Sequence, residues 1–103
     1  MSKLIPIYTI YQAREALNGE PATGGNGFVL GHKSCINSWT TPQAARNALQ
    51  TQIRNRINQK EITVLEQEWN EDGIHGSVTY ELCGVKYISW VAQEFLVTEE
   101  EDA

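Results

Sequence analysis

The only imidazoles and thiols in the chain are His32, Cys35, His75 and Cys83, four side chains of the kind a tetrahedral zinc site uses. His32 and Cys35 have a workable His-x-x-Cys spacing. His75 and Cys83 do not, because the alternating segment between them reads as one strand and sets them about 26 Å apart. No metal site and no other cofactor is expected. Cys35 beside His32 is also the one pairing that could make a thiolate nucleophile with its base, but no third group is evident to orient the imidazole. Glu66 and Glu68 share one face of a strand, as paired acid–base carboxylates could, yet nothing marks a pocket around them. The chain therefore reads as non-enzymatic and without catalytic residues, with a small thiol enzyme using Cys35 as the remaining catalytic alternative.

Binding is better represented than catalysis. Glu66, Glu68, Trp69, Asn70, Glu71 and Asp72 gather four acids around one tryptophan at a strand end and turn. Tryptophan is over-represented where binding energy concentrates, so these residues form a candidate partner-binding surface. Trp69 has a second reading, as a core residue whose neighbouring acids merely face water. Arg46, Arg54, Arg56 and Lys60 give a helix a basic side that could touch phosphate, though the last three could instead complement the negative end of the helix dipole. With no phosphate-binding loop and no base-stacking motif, direct nucleic-acid binding is not expected.

The elements that carry these residues follow from period and punctuation. Lys3 to Tyr11 is β-branched and aromatic and reads as a strand, with Pro6 placing it at an edge. Gln12 to Asn18 suits a short helical turn before a Gly- and Pro-rich loop, and Phe28 to Leu30 a short strand closed by Gly31. A helix is predicted from Pro42 to about Asn58. Thr41 caps it, Pro42 suits its first turn, and Thr40 with Gln43 has capping-box spacing. Ala45, Ala48, Leu49, Ile53 and Ile57 recur on one face of it.

Val78, Tyr80 and Leu82 alternate with Ser77, Thr79 and Glu81, the pattern of a half-buried antiparallel strand. Cys83-Gly84 makes a tight turn into a partner strand over Val85 to Val91, and Glu61 to Trp69 adds a third. The expected fold class is α+β: one main helix packed on an antiparallel sheet of three C-terminal strands plus one or two N-terminal strands.

At 103 residues, 41% of them hydrophobic and 20% charged, the chain suits a single core. Residues 1–97 are expected to form one domain and residues 98–103 an acidic C-terminal tail. No apolar run approaches the roughly 20 residues of a membrane helix, and the first residues lack a signal peptide's apolar stretch. A cytoplasmic protein with reduced thiols is expected. The net charge of −5 conceals a segregation. The first sixty residues hold seven bases against two acids, whereas the rest hold only Lys86 against eleven acids. An acidic face of this kind steers toward basic surfaces, unless it serves only as a solvated face.

A short, acidic, non-catalytic α+β chain with one helix, a three-stranded sheet and an acidic tail resembles, in size and style, the small inhibitors carried by phages and mobile elements, including anti-CRISPR proteins. The resemblance implies a protein partner with a basic surface, such as a CRISPR–Cas effector whose nucleic-acid channel is positively charged, met in the host bacterial cytoplasm. A cytosolic interaction module or complex subunit is the alternative.

Overall fold

The computed structural model describes residues 2–24, 27–34, 37–69 and 76–99. They form an α+β fold in which one helix packs on a single antiparallel five-stranded sheet. The elements are β1 (Ser2–Arg14), β2 (His32–Lys33), α1 (Pro42–Asn58), β3 (Thr63–Trp69), β4 (Gly76–Leu82) and β5 (Val85–Glu99). Their order across the sheet is β2-β1-β5-β4-β3. This is the predicted class, with two N-terminal strands joined to three C-terminal ones. No helix among the described residues is long and apolar enough to cross a membrane.

The helix forms where its end signals place it. Thr41 has extended backbone and its hydroxyl accepts from the Ala44 amide at 3.2 Å, satisfying one of the free donors of the first turn. Because Thr41 and not Thr40 is the cap, Gln43 is not at capping-box spacing, and its amide instead donates to Asn47 Oδ1 one turn on. Ala45, Leu49 and Ile53 are buried, whereas Ile57 lies near the helix end and is exposed. They meet Tyr8, Ile10, Val78, Tyr80 and Val91, which share one face of the sheet. Among these, Tyr80 is fully buried, with its ring stacked on Tyr87 and its hydroxyl beside Ser89 Oγ at 3.3 Å.

Cys83 and Gly84 both have positive φ, 52° and 80°, as the turn between β4 and β5 requires. Two consecutive left-handed residues match the twist of the paired strands, and Gly84 adopts this shape without steric cost.

Three expectations are overturned. Gln12 to Asn18 holds no helical turn: β1 runs on to Arg14, and Glu15 bridges to Phe28. The helix-forming residues there lose to an uninterrupted ladder with β5, thirteen pairs from Ser2↔Glu99 to Arg14↔Tyr87. Phe28 to Leu30 is not a strand beyond that single bridge, and the second strand is the two-residue β2 that follows it. β5, expected to stop at Val91, extends to Glu99, two residues into the segment read as the acidic tail, with 100–103 outside the described residues.

Pro6 sits where an edge proline should. Tyr8 exchanges both backbone hydrogen bonds with Trp39 at 2.8 Å on the side of β1 away from β5. Pro6 has the same parity, so its missing N–H falls on that outer side and removes no bond from the ladder with β5.

Candidate functional site

The sheet has one face under α1 and one face away from it, and register decides which residues appear on the second. Across β3, β4 and β5 the outer rows run Glu66–Thr79–Ile88 and Glu68–Ser77–Trp90, and the latter continues through Tyr11 of β1 to Lys33 of β2. Glu81 lies beyond Thr79 on the same face, with Thr63 on one side and Lys86 on the other. Glu66, Glu68 and Glu81 are exposed. The two glutamates singled out in the sequence therefore do share a face, and that face is acidic at its β3–β4 margin.

Trp69 is not with them. A β-bulge between Val64 and Glu66 inserts one extra residue into β3, so that Val64 and Trp69 both turn toward the helix while Glu66 and Glu68 turn away. The indole of Trp69 is half-buried against the core, with the Arg46 guanidinium 5.4 Å above its ring. Gly76, its register partner, leaves room for it: a Cβ there would lie 2.4 Å from the ring. Of Trp69's two readings, this geometry is that of a core residue. Asn70, Glu71 and Asp72 lie outside the described residues.

The aromatic group on the acidic side of the sheet is Trp90. Its ring stacks on Tyr11 at 5.7 Å between centroids and an interplanar angle of 20°. Gly31 crosses its far edge so closely that a Cβ would sit 2.3 Å from Cη2. The segment that brings Gly31 there is tied down by the Val29 amide donating to Arg14 O at 2.9 Å and the Ser34 amide to Ile10 O at 2.9 Å. Between this segment and the sheet lies a cleft of ≈ 480 Å³, lined by Phe28, Val29, Leu30, Ile88, Trp90 and their neighbours. Its polar end is Glu94, which accepts from the Tyr11 hydroxyl and pairs with Lys33 at 3.2 Å. The hydrogen bond from Tyr11, reinforced by Lys33, holds the Glu94 carboxyl below the ordinary carboxylate range. The same bond raises the Tyr11 phenol above its ordinary value.

The basic residues of α1 are on the other side and are partly committed to the fold. Arg56 donates to Tyr80 Oη at 3.2 Å, lies over the Tyr80 ring at 5.6 Å and pairs with Glu61 at 3.7 Å. It is also the base of the last helical turn, where the dipole favours positive charge. Arg54 and Lys60 are exposed.

The ligand-type residues do not assemble. His32 is exposed on β2, and Cys83 is a free, exposed thiol in the β4–β5 turn. Cys35 and His75 lie outside the described residues, and among the described ones no three His, Cys, Asp or Glu side chains are grouped as a metal site. No known protein family, curated protein or solved structure matches the chain.

Proposed function

We propose that the chain acts without catalysis, by laying the acidic outer margin of β3 and β4 on the basic, nucleic-acid-binding surface of a protein partner. The observation that carries this reading is the cluster of three exposed glutamates at the β3–β4 margin of the face away from the helix, with Lys86 beside Glu81 and Lys33 only at the far end of the Glu68 row. Glu66, Glu68 and Glu81 project from the bare side, while Arg46 and Arg56 lie on the helix side and are held by Trp69, Tyr80 and Glu61. Such a face attracts a basic groove at long range. Trp90, half-buried in the row that begins at Glu68, supplies apolar contact beside the charges. An inhibitor from a phage or mobile element that occupies the nucleic-acid channel of a CRISPR–Cas effector would work in this way.

Purified effector complexes mixed with the protein provide the test. Target-DNA binding by a susceptible complex should be inhibited, and reversal of Glu66, Glu68 and Glu81 to lysine should abolish inhibition while Arg54→Glu leaves it intact. Association should slow as salt rises beyond about 0.15 M, where the screening length is near 8 Å. Inhibition that survives the triple reversal and ignores salt would remove the acidic face from the function.

A further inference from the structure

The segment from Phe28 to Gly31 runs over the outer face of β1 and β5 as a strap. Besides the bond from the Val29 amide to Arg14 O, the Gly24 amide donates to Phe28 O at 2.8 Å and the Leu30 amide to Thr23 Oγ1 at 2.9 Å, so the strap is held by its own backbone. It does not close on the sheet. Ala13 and Ala92 share the outer face with Ile88 and Trp90, and their short side chains leave the floor of the ≈ 480 Å³ cleft low. That volume is ordinary for a site that takes one small molecule. The polar end of the cleft can only accept hydrogen bonds. Glu94 is a carboxylate, and Tyr11 gives its one hydroxyl proton to it, so the Tyr11 oxygen also has only lone pairs left to offer. Lys33, the other partner of Glu94, is half exposed and lies outside the lining of the cleft. Gln93 lies at this end too, but by alternation its side chain belongs to the other face of β5.

We propose that this cleft binds a small aromatic amine, with its flat ring between the strap and the sheet and its protonated nitrogen donating to Glu94. Three features select that class of ligand. First, the walls contributed by Phe28, Val29, Ile88 and Trp90 call for an apolar body, and a slot between two layers admits a flat one. Second, an end that holds only acceptors calls for a donor, and the carboxylate charge favours a positive one. An acidic head would meet Glu94 with like charge and would find only acceptors inside the cleft. Third, Glu94 has room for the bond. A carboxylate offers about four lone-pair sites, and Tyr11 and Lys33 take one each, so the amine need not displace Tyr11. Lys33 approaches from outside and competes for the same charge. The cleft lies over β1 and β5, away from Glu66, Glu68 and Glu81 at the β3–β4 margin, and shares only Trp90 with the partner surface proposed there.

Titration with tryptamine, followed by the backbone amide signals in NMR, decides the matter, with indoleacetate as the same ring carrying an acidic head. Tryptamine should saturate with a dissociation constant below about 1 mM and shift the amides of Phe28 to Leu30 and Ile88 to Glu94, and indoleacetate should bind at least about tenfold more weakly. Glu94→Gln keeps the size of the side chain and removes its charge, and should weaken tryptamine binding by about tenfold or more. Lys33→Ala should bind tryptamine at least as tightly as the starting protein, because the competing cation is gone. Ala92→Leu raises the floor and leaves Glu94 in place, so it should abolish binding while circular dichroism shows the variant folded. No saturable shift up to about 10 mM tryptamine, equal binding of indoleacetate, affinity unchanged by Glu94→Gln, or binding that survives Ala92→Leu would each overturn the proposal.

Discussion

The inner and outer halves of the β1–β5 ladder share one register and one alternation of side chains, yet they end in opposite environments. In the inner half Tyr8, Ile10 and Val91 are sealed by Leu49 and its neighbours on α1. In the outer half Leu4, Phe95 and Val97 repeat the same pattern and face solvent. The difference comes from the layer above the strands and not from the strands themselves: seventeen residues of α1 cover one part of the sheet and end. A period-two pattern tells which residues share a face, and only the packing layer tells whether that face is buried.

The sharpest way to break this contrast is to hollow out the covered half. Leu49→Ala should cost about 2–5 kcal/mol, because Leu49 is fully buried and the cavity cannot collapse onto a rigid sheet. Urea denaturation measures it, and an unchanged midpoint would take α1 out of the core. The matching change in the bare half, Phe95→Ala, should alter stability by less than about 1 kcal/mol, because that side chain is 58% exposed. A cost comparable to Leu49→Ala would mean that the outer half of the ladder is packed as the inner half is.

The smallest effect expected is at the boundary of the two halves, where Tyr11 holds Glu94. Tyr11→Phe should cost less than about 1 kcal/mol at neutral pH, since the pair is only part-buried. The sign with pH follows from the two shifts. Glu94 is depressed in the folded state, so its contribution is present above the ordinary carboxylate value and is lost as pH falls through the lowered one. Tyr11 is raised, so its contribution is present below the ordinary phenol value and is lost as pH rises through the raised one. The gap in stability between the protein and Tyr11→Phe should therefore be widest at intermediate pH and close at both ends. A gap that persisted at acidic pH would mean that the substitution changes packing and not the hydrogen bond.

The helix was legible to the residue because its signals are local: a threonine cap, a proline at the first turn and an apolar stripe. The alternation of β4 and the Cys83-Gly84 turn were legible for the same reason. What lay hidden depended on distant partners. β5, expected to end at Val91, runs on to Glu99 because β1 is there to pair with it. On the candidate surface, the shared face of Glu66 and Glu68 followed from spacing. Trp69 could not be placed, because Val64 and Trp69 are an odd number of residues apart and only the extra residue at the bulge lets both face the core, leaving Leu65 exposed. Trp90 was missed although Gly31 was a usable signal, since pairing a glycine with a tryptophan 59 positions away requires the fold.

The same long ladder sets an order of events during synthesis. Thr9 and Ala92 are neighbours in the sheet but 83 residues apart in the chain. At 5–20 residues per second, roughly 4–17 s pass between the making of one and the making of the other. Throughout that interval β1, with Leu4, Ile5, Ile7 and Ile10, has no strand to pair with on its β5 side, while β3, β4 and the start of β5 need only short turns to assemble. β1 is thus made well before the strand that locks it in, and a nascent chain carries it as an apolar strand unpaired on that side until β5 emerges.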